Sequence, residues 1–281
     1  MAKKMTESKK QAEKPTPTST AKSPETANVP AIRKETSLAQ PGSNKLAGRG
    51  FENLDKSDLL LPRIKLLQPL SPEINDLGQK PGTIFLGLGN KNYGNKITVI
   101  PVLHFRSRIK WIPEDENDGK GGIDCSSPDS RTPREAKYSA NCATCSHQLW
   151  NDKAKIKKDK APKCTMYDNF LCLIDGGNEP VIIPFERTKQ KVAKKWYSMG
   201  ALKSGSDMWA WQYELSVVGE KNDEGKPYFN YSVRDLSKAT SDERQKLCLS
   251  LWESLAGKTV SEVNTEKDEP AAAGASAGAG Y

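Results

Sequence analysis

Five of the six cysteines in this chain fall between positions 125 and 172. In order they are Cys125, Cys142, Cys145, Cys164 and Cys172, separated by 16, 2, 18 and 7 residues. A tetrahedral zinc site takes four soft ligands, and one tight C-x-x-C knuckle commonly supplies two of them. Cys142 and Cys145 form such a knuckle, and Cys125 and Cys164 flank it at similar distances in polar sequence. These four are the candidate ligands of a structural Zn2+. His147, two positions after Cys145, is a substitute ligand. Cys172 sits in NFLCLI, where alternation turns it toward a packed layer, and Cys248 reads as a buried thiol on a helix. A lone C-x-x-C also serves as a redox pair, but no thioredoxin-like βαβ pattern surrounds this one. An all-cysteine set leaves no open coordination position, which argues against catalysis there.

Positive charge surrounds the thiols. In KITVIPVLHFRSRIKW (96–111), period-two alternation puts His104, Arg106, Arg108 and Lys110 on one side and Phe105, Ile109 and Trp111 on the other. Three fixed cations in a row suit a phosphate backbone, although an exposed strand face with compensated charge has the same pattern. The loop after the knuckle carries Lys153, Lys155, Lys157, Lys158, Lys160 and Lys163. Such clusters hold phosphates without reading sequence. Single strands also need aromatic platforms, and Trp150 and Tyr167 stand beside the charge. Lys189, Lys191, Lys194 and Lys195 form a further basic group that also reads as a solvated helix face. There is no GxxxxGK[ST] loop, and the two histidines offer no clear general base, so no enzyme activity is expected.

The elements that must position these residues are mostly strands. LLLPRIKLLQPL and GTIFL read as short strands, and 96–111 as the longest, with Pro101 marking an edge or a bulge. YDNFLCLID and PVIIPF form a hairpin across Asp175-Gly176-Gly177-Asn178. WAWQYELSVVGE and KPYFNYSVRD form another across KNDEG. Between the hairpins, Val192, Trp196 and Met199 recur at helical spacing, and Leu247, Leu251 and Leu255 stripe a last helix. The order lacks repeated βαβ units. It predicts a mainly β, OB-fold-like antiparallel barrel with two helices and a zinc-binding insertion at about 119–166.

That domain spans 49–258, between two low-complexity ends. Residues 1–48 read as a disordered basic arm, and 1–50 hold ten Lys/Arg against four acids. Residues 259–281 read as a flexible tail with four acids against one lysine. The net charge of +8 favours a polyanionic partner. MAKKMTESKKQAEK has no apolar run behind its lysines, and no stretch approaches membrane-helix length. A cytoplasmic protein with reduced thiols and no membrane partner is expected.

The succession GRGFENLDKSDLLLPRIKLLQPLSPE, GTIFL, ITVIPV and a Cys-rich loop holding CATC and a nearby Trp resembles bacteriophage single-stranded DNA-binding replication proteins. The resemblance covers about residues 48–235 and is also similar in plan to phage single-stranded DNA-binding proteins with a zinc-stabilised OB-fold. It implies a host-cytoplasmic protein that binds single-stranded DNA during phage replication or recombination. It also implies an acidic tail that recruits replication proteins, although this tail is only weakly acidic and ends in Gly-Ala-Gly-Tyr. The alternative reading is a zinc-containing adaptor for a polymerase or another protein. A nuclease or a redox enzyme is a third.

Overall fold

The computed structural model describes residues 61–113, 122–155, 160–203 and 205–255. These lie in the larger of the two units into which the chain divides, Glu52–Tyr281; the other is Met1–Phe51. The arm expected at 1–48 and the tail expected at 259–281 lie outside the described residues.

The elements run β1 (Ile64–Leu66), α1 (Pro72–Asp76), β2 (Ile84–Leu86), β3 (Lys91–Asn92), β4 (Lys96–Trp111) and β5 (Ile123–Ser127). They continue with β6 (Cys164–Ile174), β7 (Pro180–Glu186), α2 (Gln190–Ala201), β8 (Trp211–Lys221), β9 (Pro227–Ala239) and α3 (Asp242–Leu255). The protein is mainly β, with both anticipated helices and both anticipated hairpins present. The short α1 was not anticipated. It starts at a proline and buries no residue, so it leaves no apolar stripe to read.

The large sheet has the order β7-β6-β4-β8-β9, with β5 paired to the far end of β4. All its pairings are antiparallel. β4 is therefore central, and Pro101 sits at a bulge, not on an edge. Pro101 pairs with Cys172 and Leu103 with Leu171, leaving Val102 as the extra residue. The bulge resets the alternation. Ile97 and Val99 enter one core with Phe170, Cys172 and Trp196, while Ile100 and Val102 enter another with Leu171, Leu173 and Cys248. Beyond the bulge Leu103 and Phe105 stay with the second core, and His104 packs against Phe170 of the first.

Each face of the sheet thus has its own cover. α2 and the β1–β2 strands close the first, and α3 closes the second through Leu247, Leu251 and Leu255. Trp196 is the centre of the first core. It stacks on Phe170 with ring centroids 4.2 Å apart and meets Phe185 edge-on at 5.9 Å. Trp209 lies in the 3-10 turn before β8 and enters the second core, whereas Trp211 packs on the first.

The barrel closure expected of an OB-fold is corrected by this topology. Among the described strands no ladder joins β7 to β9, because β1 spends its pairing on β2 and a separate three-stranded sheet. The run 62–68 instead touches both edges. Ile182 of β7 donates its N–H to the Pro62 carbonyl at 2.9 Å. At the other edge the Gln68 side chain acts as a substitute peptide group. It accepts from Phe229 N–H at 2.9 Å and donates to Phe229 O at 3.0 Å. Gly82, at φ +76°, permits this approach, since a Cβ there would stand 2.8 Å from the Phe229 ring.

Replacing Trp196 by Ala removes the ring shared by β6, β7 and α2. A loss of about 3–5 kcal/mol is expected, read as a lower urea midpoint with unchanged slope.

Candidate metal centre and basic surface

The far end of β4 carries the chemistry. Lys110 pairs directly with Cys125 of β5 on one side and with Cys164 of β6 on the other. Directly opposed residues share a sheet face, so the two thiols flank the Lys110 side chain. The knuckle lies over that face. Cys142 begins a 3-10 turn whose first residues are capped by Asn141, which accepts from Ala143 N–H at 2.8 Å. Cys142 N–H is held by the Arg131 carbonyl at 2.8 Å, and Cys145 N–H turns back to Cys142 O at 3.3 Å.

All four predicted cysteines consequently line one cavity of about 20 Å³, together with Arg108, Lys110, Tyr138 and His147. That is room for a single water-sized occupant. Each cysteine is a free thiol. Among the described residues no set of three or more His, Cys, Asp or Glu groups has the spacing of a formed metal site. Cys172 and Cys248 are in the two cores, as their strand and helix positions indicated. His147 lines the cavity and packs edge-on to Tyr138 at 4.4 Å, so it remains close to the ligand set.

Burial pushes the Cys164 thiol up to about 11, against the pull of the Arg108 charge. Burial and the neighbouring thiols of Cys142 and Cys145 raise Cys125. Beside it, Asp124 gathers Lys110, Lys137 and Tyr138. Burial would raise this carboxyl, but those three hydrogen bonds outweigh it and hold the group well below the usual carboxylate range.

The strand cations are less available than their alternation implied. Lys110 is 9% exposed and ion-paired with Asp124. Arg108 donates from Nε to Ser130 Oγ at 2.8 Å and reaches the Met166 sulfur at 3.7 Å. Arg106 keeps 47% of its side chain exposed, but its Nε donates to Asp168 Oδ1 at 2.9 Å. His104 Nε2 donates to the same oxygen at 3.1 Å, and its ring packs at a tilt against Tyr197. Tyr167 is only 7% exposed, with Arg63 over its ring and Trp111 Nε1 near its hydroxyl. Its ring is covered and offers no open stacking platform.

The loop residues behave differently. Trp150 is 48% exposed, and Lys153 and Lys155 are exposed beside it. Asn151 N–H donates to Lys160 O at 2.9 Å. Lys157 and Lys158 lie outside the described residues. On α2, Lys191, Lys194 and Lys195 are exposed opposite the buried Ala193 and Trp196.

Sequence reasoning missed the acids that take up the strand cations. Asp124 neighbours a candidate ligand, and Asp168 alternates in phase with Phe170, but their partners are 14 and 62 or more positions away.

A family model, that of the Pam3 phage gp34-like proteins, matches residues 33–261. No curated protein and no solved structure matches the chain. No described helix is long and apolar enough to cross a membrane.

Asp168 gives a prediction on stability. Burial alone would raise its carboxyl, but the bonds from His104 and Arg106 hold it below its ordinary value. Its stabilising contribution is therefore full above the unfolded value near pH 4 and fades as pH falls through the lower folded value. Asp168→Asn is expected to cost about 1.5–3 kcal/mol at pH 7, toward the low end because Arg106 is half exposed. The variant should also lose part of the acid-dependent drop, measured by urea denaturation at pH 7 and pH 3.

Proposed function

The chain belongs to the Pam3 phage gp34-like protein family, and we propose that it is a non-catalytic protein that binds single-stranded DNA without reading sequence, in phage DNA replication or recombination. The observation that carries this reading is the stretch 149–155, where half-exposed Trp150 stands beside exposed Lys153 and Lys155. An aromatic face takes a base by stacking, and adjacent lysines take its phosphates. The +8 charge of the chain favours the encounter. Arg106 and the exposed α2 lysines extend the cationic surface.

The OB-like reading of the fold belongs to this proposal. It draws on a five-strand run whose two edges are both touched by the segment 62–68. Recruitment of replication proteins by the tail belongs here too, although the tail lies outside the described residues. A second reading, an adaptor that docks a polymerase or another protein, is favoured by Leu149, 60% exposed beside Trp150.

Fluorescence anisotropy with a labelled single strand and its duplex tests the first reading. Trp150→Ala is expected to weaken single-strand binding by about 1–3 kcal/mol. Lys153→Ala with Lys155→Ala should lower the salt slope by roughly 0.7 per lysine. Equal affinity for duplex, or an unaltered Trp150→Ala variant, would sink this reading and favour the adaptor.

A further inference from the structure

We propose that Cys125, Cys142, Cys145 and Cys164 bind one zinc ion as an all-thiolate structural site, and that Arg108 and Lys110 balance its charge. The site rests on the thiols and their surroundings and is independent of the DNA reading.

Three separate segments deliver the four sulfurs to one place. β5 and β6 place Cys125 and Cys164 on either side of Lys110, and the 142–145 turn brings the other two over them. The shared cavity has room for one ion, not for a polynuclear cluster. A soft, all-thiolate donor set selects zinc over hard cations.

The segment between β5 and β6 supplies the second argument. Among its described residues, Cys142 alone is buried. Among its described residues the regular structure is limited to two 3-10 turns and helical Lys160, while Leu149 and Tyr138 are exposed. A connection of this length without an apolar core needs another fastening. One metal ion joining both ends and the middle supplies it.

Charge is the third argument. Zinc displaces the four thiol protons to solvent, and Zn2+ with four thiolates carries a charge of −2. Arg108 and Lys110 line the cavity itself. Lys137 joins them through Asp124, so three cations stand against one carboxylate around the thiols. The charge of the bound centre explains why the cations on the end of β4 turn toward the cysteines. Arg108 and Lys110 are positioning residues here, acting on the metal through its sulfurs.

The full chain, purified under reducing conditions, should carry one zinc per molecule by mass spectrometry of the metal. Exchanged for Co2+, it should show the thiolate-to-cobalt charge-transfer bands of a tetrahedral four-sulfur site. Cys142→Ser should lose the metal, and Cys248→Ala, on the opposite sheet face, should keep it. Arg108→Gln should bind zinc about 10–100-fold more weakly at unchanged stoichiometry. If Cys142→Ser does not fold, the cobalt spectrum of the unaltered chain decides the ligand set. Failure to take up zinc on refolding with the ion, or recovery of Cys142 and Cys145 as a disulfide, would overturn the site. A cobalt spectrum with a nitrogen ligand would overturn the all-thiolate assignment in favour of His147.

Discussion

The pairing of β4 with β6 is the constraint on which the rest of the molecule depends. It runs from Val99 opposite Ile174, in the middle of the cores, to Lys110 opposite Cys164, at the cysteine cavity. One continuous ladder therefore carries order from the packed interior to a region with almost no buried side chains. An antiparallel register cannot slip by one residue without turning every side chain to the wrong face. Phe170 and Cys172 on one face and Leu171 and Leu173 on the other fix the register of β6 through two cores at once. The position of Cys164 follows from that packing, although its own surroundings are polar.

The bulge at Pro101 decides which face the cations occupy. Without it His104, Arg106, Arg108 and Lys110 would lie in phase with Ile100 and Val102, on the side covered by α3. With Val102 as an extra residue, they lie in phase with Val99, on the side of Phe170 and α2. There Asp168 and the thiols receive them. A proline has no N–H to give to the ladder, so the residue pair that hosts the bulge is also the pair that loses least by it.

Much of this was legible in the sequence where a single periodicity was dominant. β4 spans the residues that its β-branched and alternating run marks out, 96–111. The stripes Val192, Trp196, Met199 and Leu247, Leu251, Leu255 face cores as helical spacing requires. The four cysteines chosen by spacing line one cavity, and the two set aside are buried elsewhere. What was not legible depends on contacts between distant positions. Nothing local to Tyr167 announces that Arg63 covers it, and nothing near Gln68 announces that it serves the edge of β9. Alternation shows that Arg106 and Lys110 share a face, but not that Asp168 and Asp124 meet them there.

These ion pairs also sort the positive charge by kind. On β4, Arg106 and Lys110 are held by carboxylates whose side chains are buried, Asp168 at 1% and Asp124 at 8% exposure. Removing such a carboxylate strands charge in a poorly solvated place, so these pairs matter to the fold whatever the protein binds. Lys153, Lys155, Lys191, Lys194 and Lys195 stand in solvent instead. Their attraction for a polyanion acts over roughly one Debye length, about 8 Å at physiological salt, and is screened beyond it. A binding surface made from such residues recruits by charge and needs a contact that salt does not weaken to hold what it recruits. In the proposed single-strand complex that contact falls to half-exposed Trp150.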